Sequence, residues 1–208
     1  MDNYAVQVQQ AKQRFLTYDQ AFIIRKMALQ ADEEYIYVNL LHQLYRIHRV
    51  SANFEKWEDG WVSGNSHGEV MTLLDILCDS DPDSSLTGRW TSTQSLGRMF
   101  HRQLLEQKDA LAQRIDGQVE AFHFACRTLG GKLISGADAG YAFCLCCDLP
   151  VAVQFWHSDE DFGPKLHLMW DENTLQYIRY ETTWFAAGLL RQRIAQKMDK
   201  YVAMPQKM

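Results

Sequence analysis

The sequence predicts an α+β fold: a helical N-terminus, an antiparallel β-meander in the C-terminal third, and helices packed on one face of that sheet. Three observations carry this. GYAFCLCC (140–147), VAVQFWH (151–157) and KLHLMW (165–170) are short, apolar-rich segments separated by turn chemistry at Asp148–Pro150 and SDEDFGP (158–164), the signature of consecutive antiparallel strands. A final helix from about Thr182 places Ala186, Leu190, Ile194 and Met198 four residues apart as one apolar stripe. Residues 4–30 are helical in pattern, with Val8, Ala11 and Phe15 on one face and Phe22, Ile23 and Met27 continuing it.

Between these ends the elements follow in order. EEYIYVNLLHQLYRIHRV (33–50) fits both periods: Ile36, Leu40, Leu44 and Ile47 suit a helix, whereas Ile36, Val38 and Leu40 alternate as in a strand. Its Tyr and Ile content favours two short strands around Leu41–Gln43. Residues 55–66 are turn-rich, and HGEVMTLLDILC (67–78) reads as a short helix. SDPDSSLTG (80–88) is loop, punctuated by Pro82 and Gly88. From Arg98 to Leu129 the pattern is two helices meeting near Asp116–Gly117, the second ended by Gly130–Gly131. The expected organisation is one α+β domain over 1–208, with an N-terminal helical segment at 1–32.

Composition narrows the classes of function. A hydrophobic fraction of 47% with 23% charged residues suits a globular chain with a core. The formal charge of −5, with basic and acidic residues interleaved as in RKMALQADEE (25–34), argues against nucleic acid as a partner. No basic segment followed by an apolar run opens the chain, and no stretch approaches the roughly 20 apolar residues of a membrane span. A cytoplasmic protein with no membrane partner is expected. Five cysteines, an odd number, point to free thiols.

Several short motifs in the C-terminal third occur together: Leu149–Pro150, Trp156, Asp159–Glu160–Asp161–Phe162, Pro164, Trp170–Asp171, Tyr177 and Glu181. Upstream lie Leu86–Thr87–Gly88, Trp90 and Ser92. In this order they resemble the prokaryotic domain-of-unknown-function family numbered 3786, with a family-like region at 33–200. Gly163 intervenes before the proline, Thr93–Gln94–Ser95 replaces the family's Phe-Arg-Glu, and Arg179–Tyr180 stands where Pro-Thr is usual. Some relatives carry an N-terminal iron–sulfur segment, and this chain has no cysteine before Cys78. The resemblance implies a fold and a prokaryotic cytoplasmic setting, and supplies no reaction.

Candidate chemistry centres on Cys144, Cys146 and Cys147. In a regular strand Cys144 and Cys146 share a face and Cys147 points the other way. If Asp148 pairs with Val151 across a Leu149–Pro150 turn, Cys146 faces Val153, Cys144 faces Phe155, and His157 joins the cysteine face. A shift of one residue removes His157. Cys144, Cys146 and His157 are thus the candidate metal set, although structural zinc wants four ligands and buried cysteine packs as a small hydrophobe.

The acidic loop Asp159–Glu160–Asp161 lacks the alternation of a calcium loop and is expected to be a solvated hairpin loop with Phe162 turned onto the core. Asp171 is expected to close a turn by accepting backbone N–H groups, and Glu181 to sit at the positive end of the last helix. No HExxH, GxSxG, GxGxxG or P-loop spacing occurs. Six tryptophans are many for this length; Trp57, Trp61 and Trp90 are the candidate binding residues, the first two framing WEDGW in the turn-rich segment. The leading expectation is a non-catalytic accessory protein that binds a small ligand, a cofactor or a partner protein. The alternative is a metal-binding protein or enzyme using Cys144, Cys146 and nearby carboxylates. No cofactor is required by the sequence, and oligomeric state is left open.

Overall fold

The apolar faces of α1 (Asn3–Thr17) and α2 (Gln20–Lys26) bury Ala11, Phe15 and Ile23, in a computed structural model that describes residues 3–97 and 109–204. One continuous N-terminal helix does not form. Asp19 adopts an extended conformation and its carboxylate caps α2 by accepting the Phe22 N–H, which restarts the helix and turns Phe22 outward. Ala28, at φ 50°, ends the helical stretch, and Gln30–Ala31 (β1) pairs with the next strand.

The hairpin expected at 33–50 is present as β2 (Tyr35–Leu40) and β3 (Gln43–His48), joined at Leu41–His42. Both turn residues have positive φ, the geometry of a two-residue hairpin loop matched to strand twist. Residues 55–66 are a second hairpin rather than loop: β4 (Phe54–Trp57) and β5 (Trp61–Ser63) complete a five-stranded antiparallel sheet in sequential order β1 to β5. Alternation sends Ile36, Val38, Leu40, Tyr45, Ile47 and Phe54 into the core.

Helix α3 (His67–Asp79) begins at a capping box in which Ser66 and Glu69 satisfy each other's backbone N–H groups. After β6 (Trp90–Ser92) and the short α4 (Thr93–Leu96), the predicted helical residues 98–108 lie outside the described residues. Helices α5 (Ala110–Gly117) and α6 (Val119–Thr128) meet where expected. Gly130, at φ 74°, ends α6, its N–H returning to the Arg127 carbonyl.

The second sheet has the order β6-β10-β9-β8-β7, with β7 (Lys132–Leu133), β8 (Ala139–Cys146), β9 (Leu149–Trp156) and β10 (Lys165–Asp171), all antiparallel. Its core face carries Tyr141, Phe143, Val151, Val153, Phe155, Leu166 and Trp170, all buried. The last helix, α7 (Tyr180–Ala203), buries the expected stripe of Ala186, Leu190, Ile194 and Met198 against α3 and α6. An ion network fastens its start: Thr182 donates to Asp75, which also accepts from Arg14 (2.8 Å), and Arg179 meets Asp79 (2.8 Å).

The register of the central hairpin differs from the expected one. Its turn is Cys147–Asp148, both at positive φ, and Leu149–Pro150 already belong to β9. Cys146 pairs with Leu149 and Cys144 with Pro150, leaving Leu145 as a bulge. Proline is tolerated there because the bulge removes the donor it would otherwise have to supply. The Leu145 carbonyl instead accepts the Leu41 N–H at 2.8 Å and joins the two sheets.

Candidate functional site

A cleft of about 670 Å³ opens between α7 and the tips of the first sheet. The β2–β3 turn contributes Leu41, His42 and Gln43; the β4–β5 hairpin contributes Lys56, Trp57, Glu58 and Asp59; Ser66 and Glu69 stand at the start of α3. Helix α7 supplies Gln192, Arg193, Gln196, Lys197 and Lys200. Arg193, Lys197 and Lys200 fall at i, i+4 and i+7, one face of a helix whose other face is the buried stripe.

Arg193 fixes the floor. Its Nη1 donates to the Leu40 carbonyl at 2.5 Å and to the Leu41 carbonyl at 3.2 Å. Its Nη2 donates to the Tyr45 hydroxyl and lies 3.4 Å from Glu69 Oε1, which accepts the Tyr45 O–H at 2.5 Å. Glu69 Oε2 accepts the Ser66 N–H at 2.6 Å. Burial opposes ionisation of Glu69, but these hydrogen bonds and the Arg193 charge outweigh it and hold the carboxyl below its usual range. The guanidinium thus spans two carbonyls of a tight turn and a buried carboxylate with its planar fork.

Lys197 and Lys200 stand beside this network. Burial, with the charges of Lys200 and Arg193, lowers Lys197 from its ordinary value. Of the three carboxylates in the cleft, Glu58 is engaged with Lys56 (2.8 Å) and Glu69 with Arg193 and Tyr45, while Asp59 is exposed in the β4–β5 turn. Like charges held together with no carboxylate in direct contact gain most from an added anion. A second concavity of about 490 Å³, beside α1 and the β3–β4 turn, offers one cation, Lys12, which already donates to Asn53.

The candidate binding residues divide between the sheets. Trp57 and Trp61 face each other across β4 and β5, with ring centroids 5.2 Å apart. Arg46 lies 4.4 Å from the Trp61 ring and 4.1 Å from that of Tyr35. Trp57, 48% exposed, reaches the rim of the cleft. Trp90 sits on the edge strand of the second sheet and does not join them.

The candidate metal set is not brought together. Cys144 and Cys146 lie at the turn end of β8, whereas His157 follows the opposite end of β9, roughly 25 Å along the strand. His157 Nδ1 instead meets Asp116 at 2.7 Å, and Ser158 donates its hydroxyl to the same carboxylate at 2.6 Å. The serine O–H is thus spent on the acid rather than aligned on the imidazole, so the group ties a loop down and does not form a nucleophilic relay. The bulge breaks the shared face: Cys144 is exposed and Cys146 fully buried. Among the described residues, no group of three or more His, Cys, Asp or Glu side chains is disposed to hold a metal ion.

The motif residues mostly build loops and sheet edges. Asp159 accepts the N–H groups of Asp161 (2.9 Å) and Phe162 (2.7 Å), closing the acidic loop on itself with Glu160 in solvent. Phe162 does not turn onto the core; it is 61% exposed, under the Lys165 ammonium. Asp171, buried, accepts the N–H groups of Thr87, Gly88 and Asn173, tying the 80–88 loop to β10. Trp156 packs edge-on against His167, Pro150 stands opposite Cys144, and Glu181 occupies the first turn of α7.

Tyr45, Lys56, Glu69, Arg193, Lys197 and Lys200 escaped sequence reasoning. The signal available was the cationic spacing on the last helix, opposite its apolar stripe; the other partners come from strands remote in sequence. No helix among the described residues is long and apolar enough to cross a membrane. A family model described as a domain of unknown function, DUF3786, matches residues 19–193. No curated protein and no solved structure matches the chain.

Proposed function

The chain belongs to the DUF3786 family, and on that premise we propose that it is a non-catalytic binding protein of the prokaryotic cytoplasm. It takes a small phosphate- or carboxylate-bearing molecule in the cleft between α7 and the first sheet. The observation that carries this reading is the placement of Lys197 and Lys200 beside Arg193 on one helix face, in a cleft where Glu58 and Glu69 already have cationic partners. A volume of about 670 Å³ suits a small molecule. A compact cationic cleft on a chain of net charge −5 also fits a discrete anion better than a nucleic acid, which needs an extended basic surface. Five free cysteines and the lack of a membrane-length helix among the described residues support the cytoplasmic setting.

Trp57 at the rim makes the reading testable by its own emission. Titration with inorganic pyrophosphate, adenosine diphosphate and benzoate, each at low salt, should give a saturable change with at least one of them, diminished in Trp57→Phe. A flat response to all three, with calorimetry equally silent, would remove the cleft from consideration. The metal-site or enzymatic alternative through Cys144 and Cys146 gains no geometric support, since the ligands it needs lie apart.

A further inference from the structure

We propose that Cys146 and Cys147 form a vicinal dithiol that closes to an intrachain disulfide by exchange with a small-molecule disulfide, a reactive site separate from the cleft. Consecutive residues of a regular strand point to opposite faces, so adjacent cysteines in a sheet normally keep their sulfurs apart. Here the Leu145 bulge and the turn break that alternation: Cys147 has φ 47° and Asp148 φ 68°. The two sulfurs come within 3.4 Å. Positive φ at both residues is the geometry of a two-residue hairpin loop, and it takes Cys147 out of the strand's alternation.

The two thiols are unlike in access. Cys146 is fully buried under the hairpin, while Cys147 is half-exposed in the turn. The hydrogen-bonding contact between the two thiols lowers Cys147 and raises Cys146. Access assigns the order of attack, because the attacking thiolate must reach the external disulfide and only Cys147 of the two meets solvent. The Cys147 thiolate attacks one sulfur of an external disulfide R–S–S–R, forming Cys147–S–S–R and releasing one thiolate. The Cys146 thiol gives its proton to solvent and attacks the Cys147 sulfur, closing the bond and releasing the second thiolate. The chain loses two thiol hydrogens, and the external disulfide is reduced to two thiols.

The product is readily reversed. Neighbouring Cα atoms lie about 3.8 Å apart across a trans peptide, whereas an unstrained disulfide spans about 4.4–6.8 Å, so the closed ring is strained towards reduction. The other two buried cysteines do not compete for Cys147. Burial pushes Cys78 up to about 12 and Cys126 well above its ordinary value. Cys144 is exposed, its thiol raised mainly by desolvation, and it reacts as a single thiol.

The experiment uses the full native chain carrying Cys144→Ser and the aromatic disulfide 5,5′-dithiobis(2-nitrobenzoate). The expected result is two equivalents of thionitrobenzoate released per chain and no adduct retained. The product mass should be lower by two hydrogens, with peptide mapping joining Cys146 to Cys147. Adding Cys146→Ala should give one equivalent released and one adduct retained on Cys147; adding Cys147→Ser should abolish the rapid release. A Cys144→Ser chain that keeps its adduct on Cys147, or maps its new bond elsewhere, would overturn the proposal. Because Cys147→Ser lies in a half-exposed turn, it tests the site even if the buried Cys146 variant fails to fold.

Discussion

Asp171, buried, and Arg193, partly buried, each satisfy several backbone groups with one charge, and at this scale stability is most sensitive. Asp171 serves three backbone N–H groups and the Thr87 hydroxyl. An asparagine there presents an N–H₂ group to donors, so Asp171→Asn should cost about 3 kcal/mol in chemical denaturation. Arg193→Met removes the partner of the buried Glu69 and uncovers the Leu40 and Leu41 carbonyls, and should cost about 3–5 kcal/mol. A loss below about 1 kcal/mol in both would show that water replaces these contacts freely.

The same carboxyls fix the acid limb of stability. Glu69 and Asp171 are held below their ordinary values in the folded chain: burial opposes this in each, and the hydrogen bonds prevail. The unfolded chain therefore binds protons first, so their contribution is complete above the unfolded values of about 4.3 and 3.9 and is lost as pH falls through the lower folded values. Asp79, raised by burial, works in the opposite sense. Denaturation midpoints measured from pH 6 to pH 2.5 should fall, and Glu69→Gln should flatten the fall.

At the scale of elements, the β8–β9 hairpin shows how far pattern reading reaches. The strands GYAFCLCC and VAVQFWH are legible because apolar runs bounded by turn residues have few alternatives. Their register is not, because Leu149–Pro150 and Cys147–Asp148 are both acceptable turns, and the bulge at Leu145 is set by a bond to Leu41 about a hundred residues away. The site suffers in the same way: spacing exposes the cations of α7, but Glu69, Tyr45 and Lys56 arrive from elements that only the fold brings near. The β4–β5 hairpin is hidden because its strands are short and their Trp57–Trp61 pairing is cross-strand. One consequence concerns the cysteines. Cys146→Ala should lower stability by about 1 kcal/mol through lost packing, while Cys144→Ala, at an exposed site, should stay within about 0.5 kcal/mol of the parent. Equal losses would restore a shared face.

For the whole molecule, two meanders are joined at the Leu41–Leu145 bond and closed by α7, which carries a buried stripe on one side and a row of cations on the other. One helix thus anchors the fold and lines the cleft, and the partly buried Arg193 connects the two tasks. Anion binding should weaken with rising salt, because Lys197 and Lys200 are solvent-screened charges, whereas the Arg193 network should be little affected. The most direct test is calorimetric titration of inorganic pyrophosphate into the parent chain and into Lys197→Ala/Lys200→Ala. Saturable binding at one site per chain, weakened at least tenfold (about 1.4 kcal/mol) in the double variant with its melting temperature unchanged, is the predicted result; binding of equal strength in both would contradict it.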